Sequence, residues 1–284
     1  MLITIIMPNC GWAEYALKYD FIVDNIFYRY NPDKTSVAVT YNRGNIINRE
    51  FYELGASYFD EEIIIPEKVT YNDITYPVTK IDKYAFYRCV STKAIHIPNT
   101  ITEIGDNAFS FCSGLTEITL PNSIVNLGAA FYSCNLLKEI EIPANVKWIG
   151  GFSNCTALET VKLPEGLEII VDNCFYNCNS LKNISLPSSL TRIDARAFYN
   201  CKKIESITIP ESVSYIGSQA FSGCSTLNTV DILCDLRQVD ISDEGQLTFL
   251  NLDKESNRIF EYCGELNIHV TDPNNAIALL PIIY

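Results

Sequence analysis

A proline recurs at near-constant intervals through the middle of this chain. Pro98, Pro121, Pro143, Pro164, Pro187 and Pro210 stand 23, 22, 21, 23 and 23 residues apart. A cysteine keeps the same beat, from Cys89 through Cys112, Cys134, Cys155, Cys178 and Cys201 to Cys224. The short intervals share one cause. Ile104 to Phe109 and Ile193 to Phe198 are five positions apart, whereas Leu127 to Phe131 is four and Ile149 to Phe152 is three. Two small deletions in one loop account for both departures. A catalytic motif is normally written once; a fixed period of about 20–50 residues marks a stack of like units.

Apolar residues hold fixed places around each proline. Ile101, Ile124, Val146, Leu167, Leu190 and Val213 follow it by three positions, and Ile104, Leu127, Ile149, Ile170, Ile193 and Ile216 by six. Before it comes an alternation such as Leu115, Ile118, Leu120 or Leu181, Ile184, Leu186, the pattern of a strand with one buried face. Proline then ends the strand, having no N–H for the ladder. Strands are expected near 115–120, 137–142, 158–163, 181–186, 204–209 and 227–232. One unit cannot stand alone. It offers about eight inward side chains at roughly 1.5–3 kcal/mol each, against about 1–2 kcal/mol of entropy for every backbone ordered. Stacking covers each open side, so the chain is expected to be a solenoid. Phe109, Phe131, Phe152, Phe175, Phe198 and Phe221 hold equivalent places and should form one interior column.

Composition removes several classes of function. The 284-residue chain is 48% apolar with a net charge of −13, and no basic run is present to meet phosphates, so a nucleic-acid partner is excluded. No apolar stretch reaches the roughly 18–20 residues that span a bilayer, so no transmembrane segment is expected. Leu2 to Met7 is apolar and Gly11-Trp12-Ala13 offers a small-x-small exit. Residues 1–13 therefore read either as a residual export signal lacking its basic region or as a first strand; Met7-Pro8-Asn9 before Cys10 is a poor lipobox. Eleven cysteines in an exported chain would ordinarily imply disulfides. Here seven form a ladder, one per coil, whose side chains point in parallel, and a bridge needs facing Cβ vectors. Buried, reduced thiols are the expected state.

The ends depart from the repeat. Residues 14–60 read as an N-terminal β cap, in which FIVDNIFYRY and SVAVTYN flank the turn Asn31-Pro32-Asp33-Lys34 as a hairpin. Residues 61–233 read as the solenoid, whose first unit is stretched by a loop through Tyr76-Pro77. Residues 234–284 read as an insertion, a degenerate last coil (Ile259-Phe260, Cys263, Leu266, Ile268, Val270) and an apolar cap at Ile277 to Ile283.

A search for chemistry returns little. The two histidines, His96 and His269, lie coils apart and cannot share a triad or a metal. Cys174 with Cys178 has a metal-like spacing, but Cys174 fills the slot held by Ala108, Ala197 and Ala220. No phosphate-binding, nucleophile-elbow or zinc-protease motif is present. No catalytic, cofactor or metal residue is therefore assigned. What remains is a surface. Two positions before the prolines stand His96, Thr119, Glu141, Lys162, Ser185, Thr208 and, in the last coil, Asp231; four before them stand Glu117, Glu139, Thr160, Asn183, Ser206 and Thr229. This outward face is the candidate protein-binding site, although it lacks the Trp, Tyr and Arg anchors typical of hot spots. Tyr87, Tyr132, Tyr176 and Tyr199 form a second candidate edge.

The L-x-x-I-x-L strands, the period near 23 and the Ala-Phe-x-x-Cys segment over about residues 61–270 resemble the BspA-like (Treponema-type) leucine-rich repeat family. The resemblance implies an α/β fold: a right-handed solenoid with one parallel strand per coil, its β-rich side convex, behind an N-terminal hairpin cap. It further implies a secreted or surface-displayed, non-enzymatic binding module without a cofactor, in some cases an adhesin toward host matrix or serum proteins. A structural spacer without a ligand is the alternative.

Overall fold

The computed structural model describes residues 19–41, 58–235, 259–263 and 265–270. The segments read as an export signal, as most of the 234–258 insertion and as the final apolar cap lie outside these residues. The first three strands among the described residues are β1 (Phe21–Val23), β2 (Ile26–Tyr30) and β3 (Val37–Val39). FIVDNIFYRY is thus two strands rather than one. Asp24 and Asn25, at φ 49° and 61°, form a tight turn of the kind that joins antiparallel pairs, and Phe21 faces Tyr28. β2 then pairs antiparallel with β3, and the Asn31 N–H donates to the Ser36 carbonyl at 2.9 Å.

β4 (Glu62–Ile64) begins the coils, followed by β5 (Lys68–Tyr71) and β6 (Ile74–Ile81). The segment through Tyr76-Pro77 is no loop: β5 and β6 form a hairpin about Asn72 and Asp73, both left-handed. From there strands alternate between two sides of the stack. One side carries β7 (Ala94–His96), β9 (Glu117–Thr119), β11 (Glu139–Glu141), β13 (Thr160–Lys162), β15 (Asn183–Ile184), β17 (Ser206–Ile209), β19 (Thr229–Ile232) and β20 (Asn267–Val270). The other carries β8 (Glu103–Ile104), β10 (Asn126–Leu127), β12 (Trp148–Ile149), β14 (Ile169–Ile170), β16 (Arg192–Ile193) and β18 (Tyr215–Ile216). From β7 to β18 each coil therefore has two strands, not one. The first ladder is the expected one, with strands inside the expected bounds. The second consists of residues five and six places after each proline, and is joined through β6 to β3.

The third side of each coil carries no strand, yet it too is bonded coil to coil. The N–H groups of Phe86, Phe109, Phe175 and Phe198 donate to the carbonyls of Ala108, Ala130, Ala197 and Ala220 at 2.7–2.9 Å. Between these lie left-handed residues, among them Asn107, Phe111, Asn173, Asn177 and Asn200. A residue at positive φ ends any right-handed helix, and here its N–H points to the next coil instead. Among the described residues there is no helix, so the α/β expectation gives way to an all-β solenoid. Asn177 Nδ2 donates to Asn154 Oδ1, and Asn200 Nδ2 to Asn177 Oδ1, both at 3.0 Å. Gly223 continues that row at φ 75°; a Cβ there would stand 2.1 Å from Asn200 Oδ1.

Inside, the phenylalanines stack without a gap. From Phe86 through the six expected rings to Phe260, neighbouring centroids are 5.0–5.5 Å apart and the planes 3–22° from parallel. Tyr58 tops the column 4.8 Å from Phe86, and its hydroxyl donates to the Thr40 carbonyl at 2.6 Å. The described cysteines are free and, except for half-buried Cys263, buried. From Cys112 on, the ladder thiols donate to the phenylalanine carbonyl one coil back: Cys112 to Phe86, Cys134 to Phe109, Cys155 to Phe131, Cys178 to Phe152, at 3.0–3.2 Å. Cys201, Cys224 and Cys263 repeat the bond.

The first ladder is interrupted between β15 and β17, and one other place breaks both ladders together. β9 does not pair with β11, nor β10 with β12, so both ladders stop between the same two coils. The first shortened loop, Leu127 to Phe131, joins the two coils at this seam, whereas the coils joined by the second, Ile149 to Phe152, stay paired on both ladders. The strandless side bridges it: Phe109 and Phe111 still donate to Ala130 and Tyr132 at 2.9 and 2.7 Å.

Candidate functional site

The parallel register of the first ladder places the candidate residues in two rows. Glu139 stands beside Thr160, which stands beside Asn183, and Glu141 stands beside Lys162. Thr119 lies next to His96 and Glu117 next to Ala94; Ser206 and Thr208 lie next to Thr229 and Asp231. Alternation drives this arrangement, since the residues between them (Ile118, Ile140, Val161, Ile207 and Val230) are buried. The rows face solvent except for Thr160, Thr229 and Asp231, which are half-buried. Ser185, just past β15, is also exposed.

Much of the charge on this face is spent within it. Lys162 meets Glu141 at 3.2 Å, Lys182 meets Glu159 at 2.7 Å and Lys93 meets Glu61 at 2.7 Å, each across one coil step. The Lys182 ammonium holds the Glu159 carboxyl below the usual carboxylate range. Each histidine also meets a carboxylate one coil away: His96 Nε2 lies 2.6 Å from Glu62, and His269 Nδ1 lies 2.9 Å from Asp231. Seven steps of about 4.8 Å separate their strands, so they share no site.

At the seam the face opens into a depression of about 330 Å³. Thr119 and Glu139, with Glu141, Thr160 and Lys162, line it over an apolar floor of Ile118 and Ile140. Five candidate residues therefore converge where both ladders are unpaired, whereas the remainder lie on the three sheets of the first ladder. This convergence was invisible as a motif; its sequence sign is the shortened loop from Leu127 to Phe131.

The other candidates resolve differently. Burial pushes the thiols of Cys174, Cys178 and Cys201 well above their ordinary value, and a thiol without a thiolate is no nucleophile or ligand. Among the described residues no cluster of His, Cys, Asp and Glu could hold a metal. On the tyrosine edge the rings pack on one another: Phe111 meets Tyr132 edge-on at 5.0 Å, and Tyr176 stacks on Tyr199 at 5.0 Å. A surface row that the alternation did not disclose lies on the second ladder, where Trp148, Ile169, Arg192 and Tyr215 stand side by side.

No curated protein sequence matches the chain. Among solved structures, a leucine rich cell surface protein from Faecalibacterium prausnitzii aligns with a TM-score of 0.50 at 23% identity, over 75% of this chain and 70% of that one. A leucine-rich repeat protein from Bacteroides ovatus is 24% identical with a TM-score of 0.48, over 89% and 76%. The T. pallidum leucine-rich repeat protein is 21% identical with a TM-score of 0.48, over 86% and 99%. The first shows a shared fold. The profile of the BspA type leucine rich repeat region matches in six copies over residues 65–151 and 150–267, more than half of the chain, and the protein is thus a member of the BspA-type leucine-rich repeat family.

Proposed function

We propose that this chain is a non-enzymatic protein-binding module, secreted or held at a cell surface, that takes its partner on the first-ladder face. The observation that carries this reading is the depression at the seam, where Thr119, Glu139, Glu141, Thr160 and Lys162 meet over apolar ground. Here both ladders are interrupted, and Ile118 and Ile140 add apolar surface among the polar groups. Family membership supports a protein partner, and the cell-surface relative from F. prausnitzii supports display outside the cell. No helix among the described residues is long and apolar enough to cross a membrane. In this reading the partner is a host matrix or serum protein and the role is adhesion. The β1–β3 sheet serves as the cap of the first coil, with Tyr58 covering the first ring, Phe86.

A spacer role is the second reading, favoured by the ion pairs that consume outward charge along the ladder. Solid-phase binding to immobilised matrix and serum proteins separates the two. Binding that falls by about tenfold in Glu139→Lys/Glu141→Lys, with unchanged thermal unfolding, supports the first; no binding to any of them supports the spacer.

A further inference from the structure

We propose that the second ladder carries a separate docking surface, the row Trp148, Ile169, Arg192 and Tyr215, and that its partner is an extended polypeptide segment bearing a carboxylate near an apolar side chain. This goes beyond the first-ladder reading and rests on a different side of the solenoid. Strand pairing brings the four residues into one line, each beside the next. The composition is that of an interface centre, since Trp, Tyr and Arg dominate hot spots. The apolar end is open: Trp148 is 39% exposed, and Val125, across the seam, is 52% exposed.

The charged end is preorganised. Arg192 Nε donates to the buried carboxylate of Asp194, and its guanidinium carbon lies 4.2 Å from the centre of the Tyr215 ring. Among the described residues no partner takes its terminal nitrogens. A guanidinium fixed in this way matches a carboxylate in a two-pronged bond and loses little freedom in doing so. In a chain of net charge −13, it is the row's only charge. A basic segment would therefore find no counter-charge in this row, and an acidic one would.

Size selects the occupant further. Three strand steps of about 4.8 Å make a row about 14 Å long, the reach of about four extended residues. A stable dimer buries about 800 Å² on each partner, more than a row one side chain wide provides, so a second copy does not fit.

The test is selection of a phage-displayed random peptide library on the full chain, followed by calorimetry with the synthesised winners. Enriched peptides should carry Asp or Glu close to an apolar residue. Their affinity should fall by about tenfold or more in Trp148→Ala and in Arg192→Lys, the latter keeping the charge and losing the fork. Lys162→Ala, on the first ladder, should leave affinity unchanged. Circular dichroism and thermal unfolding check that each variant folds. The proposal is overturned by enrichment of basic peptides, by no enrichment, by losses that follow Lys162→Ala, or by self-association of the chain that Trp148→Ala abolishes.

Discussion

Across the seam the interior column keeps its step, with Phe109 to Phe131 and Phe131 to Phe152 both 5.2 Å apart, while the two outer ladders stop there. The thiol bonds also continue, Cys134 to Phe109 and Cys155 to Phe131. The difference follows from what each part needs. A ring or a thiol needs only its own level, and the deletions fall in the loop ahead of it. A ladder needs two strands at the same spacing and register, and at the seam neither ladder keeps both. The coils are therefore held together from within, and the outside is free to vary.

The largest test of that division is alkaline pH. Burial holds the thiols of Cys112, Cys134, Cys178 and Cys201 well above their ordinary value, and raises those of Cys234 and Cys263 to about 11. Unfolded, each would ionise near pH 8.5, a value of about 8.5 being ordinary for cysteine. Above that pH the unfolded chain has lost protons that the folded chain keeps, so stability falls as pH rises. Each thiol contributes about 1.4 kcal/mol per pH unit until it ionises in the fold. Urea unfolding from about pH 7 to 10 should show a plateau and then a steep decline. Cys178→Ala/Cys201→Ala should be flatter by about two protons' worth of slope. A shallow decline that these substitutions leave unaltered would assign the pH effect to surface groups instead.

Next in size is the column itself. Loss of a buried phenylalanine costs about 3–5 kcal/mol. Phe131→Ala and Phe175→Ala each break two stacking contacts, whereas Phe260, the last described ring, stacks on Phe221 alone and should cost less. At the seam the loss should do more than lower the midpoint. With no ladder to hold the two parts together, Phe131→Ala should split one urea transition into two, as repeat stacks do when a neighbour interface fails. Equal midpoints for Phe131→Ala and Phe260→Ala would mean that the rings are not what joins the coils.

The legible parts of this fold are those that repeat a side-chain requirement. The column and the thiol row were readable because every coil must refill the same interior slot, and the first ladder because its strands are long enough to alternate. The second ladder was not. Its strands are two residues long, only Ile104 and its counterparts point inward, and the outward neighbour varies freely from Glu103 to Trp148 to Tyr215. The Asn72-Asp73 turn was a readable hairpin signal, obscured by Pro77 beside it. The expectation of a helical component came from the family rather than from the residues, and among the described residues left-handed asparagines stand on the third side where no helix forms. The partner of each thiol lies on the backbone, which no residue pattern marks. For the site, alternation placed the outward rows, whereas the depression depends on two strands failing to pair.

The smallest expected effect lies on the ladder surface, and it is the one that most sharpens the contrast with the interior. Lys162 and Glu141 face each other across β11 and β13 with side chains 68% and 72% exposed. Exposed pairs of this kind contribute about 0–1 kcal/mol, because water already solvates both charges and ordering two long side chains costs entropy. Lys162→Ala should therefore shift the urea midpoint hardly at all, and raising the salt should shrink the shift further as the charges are screened. A double-mutant cycle with Glu141→Ala isolates the pair from other effects of each substitution. A coupling near zero would mean that the ladder tolerates redecoration at little cost to the fold, which is what a surface selected for partners requires. A coupling above about 2 kcal/mol would make the ladder part of the structure's support, and the seam would then be a weakness that the interior alone does not offset.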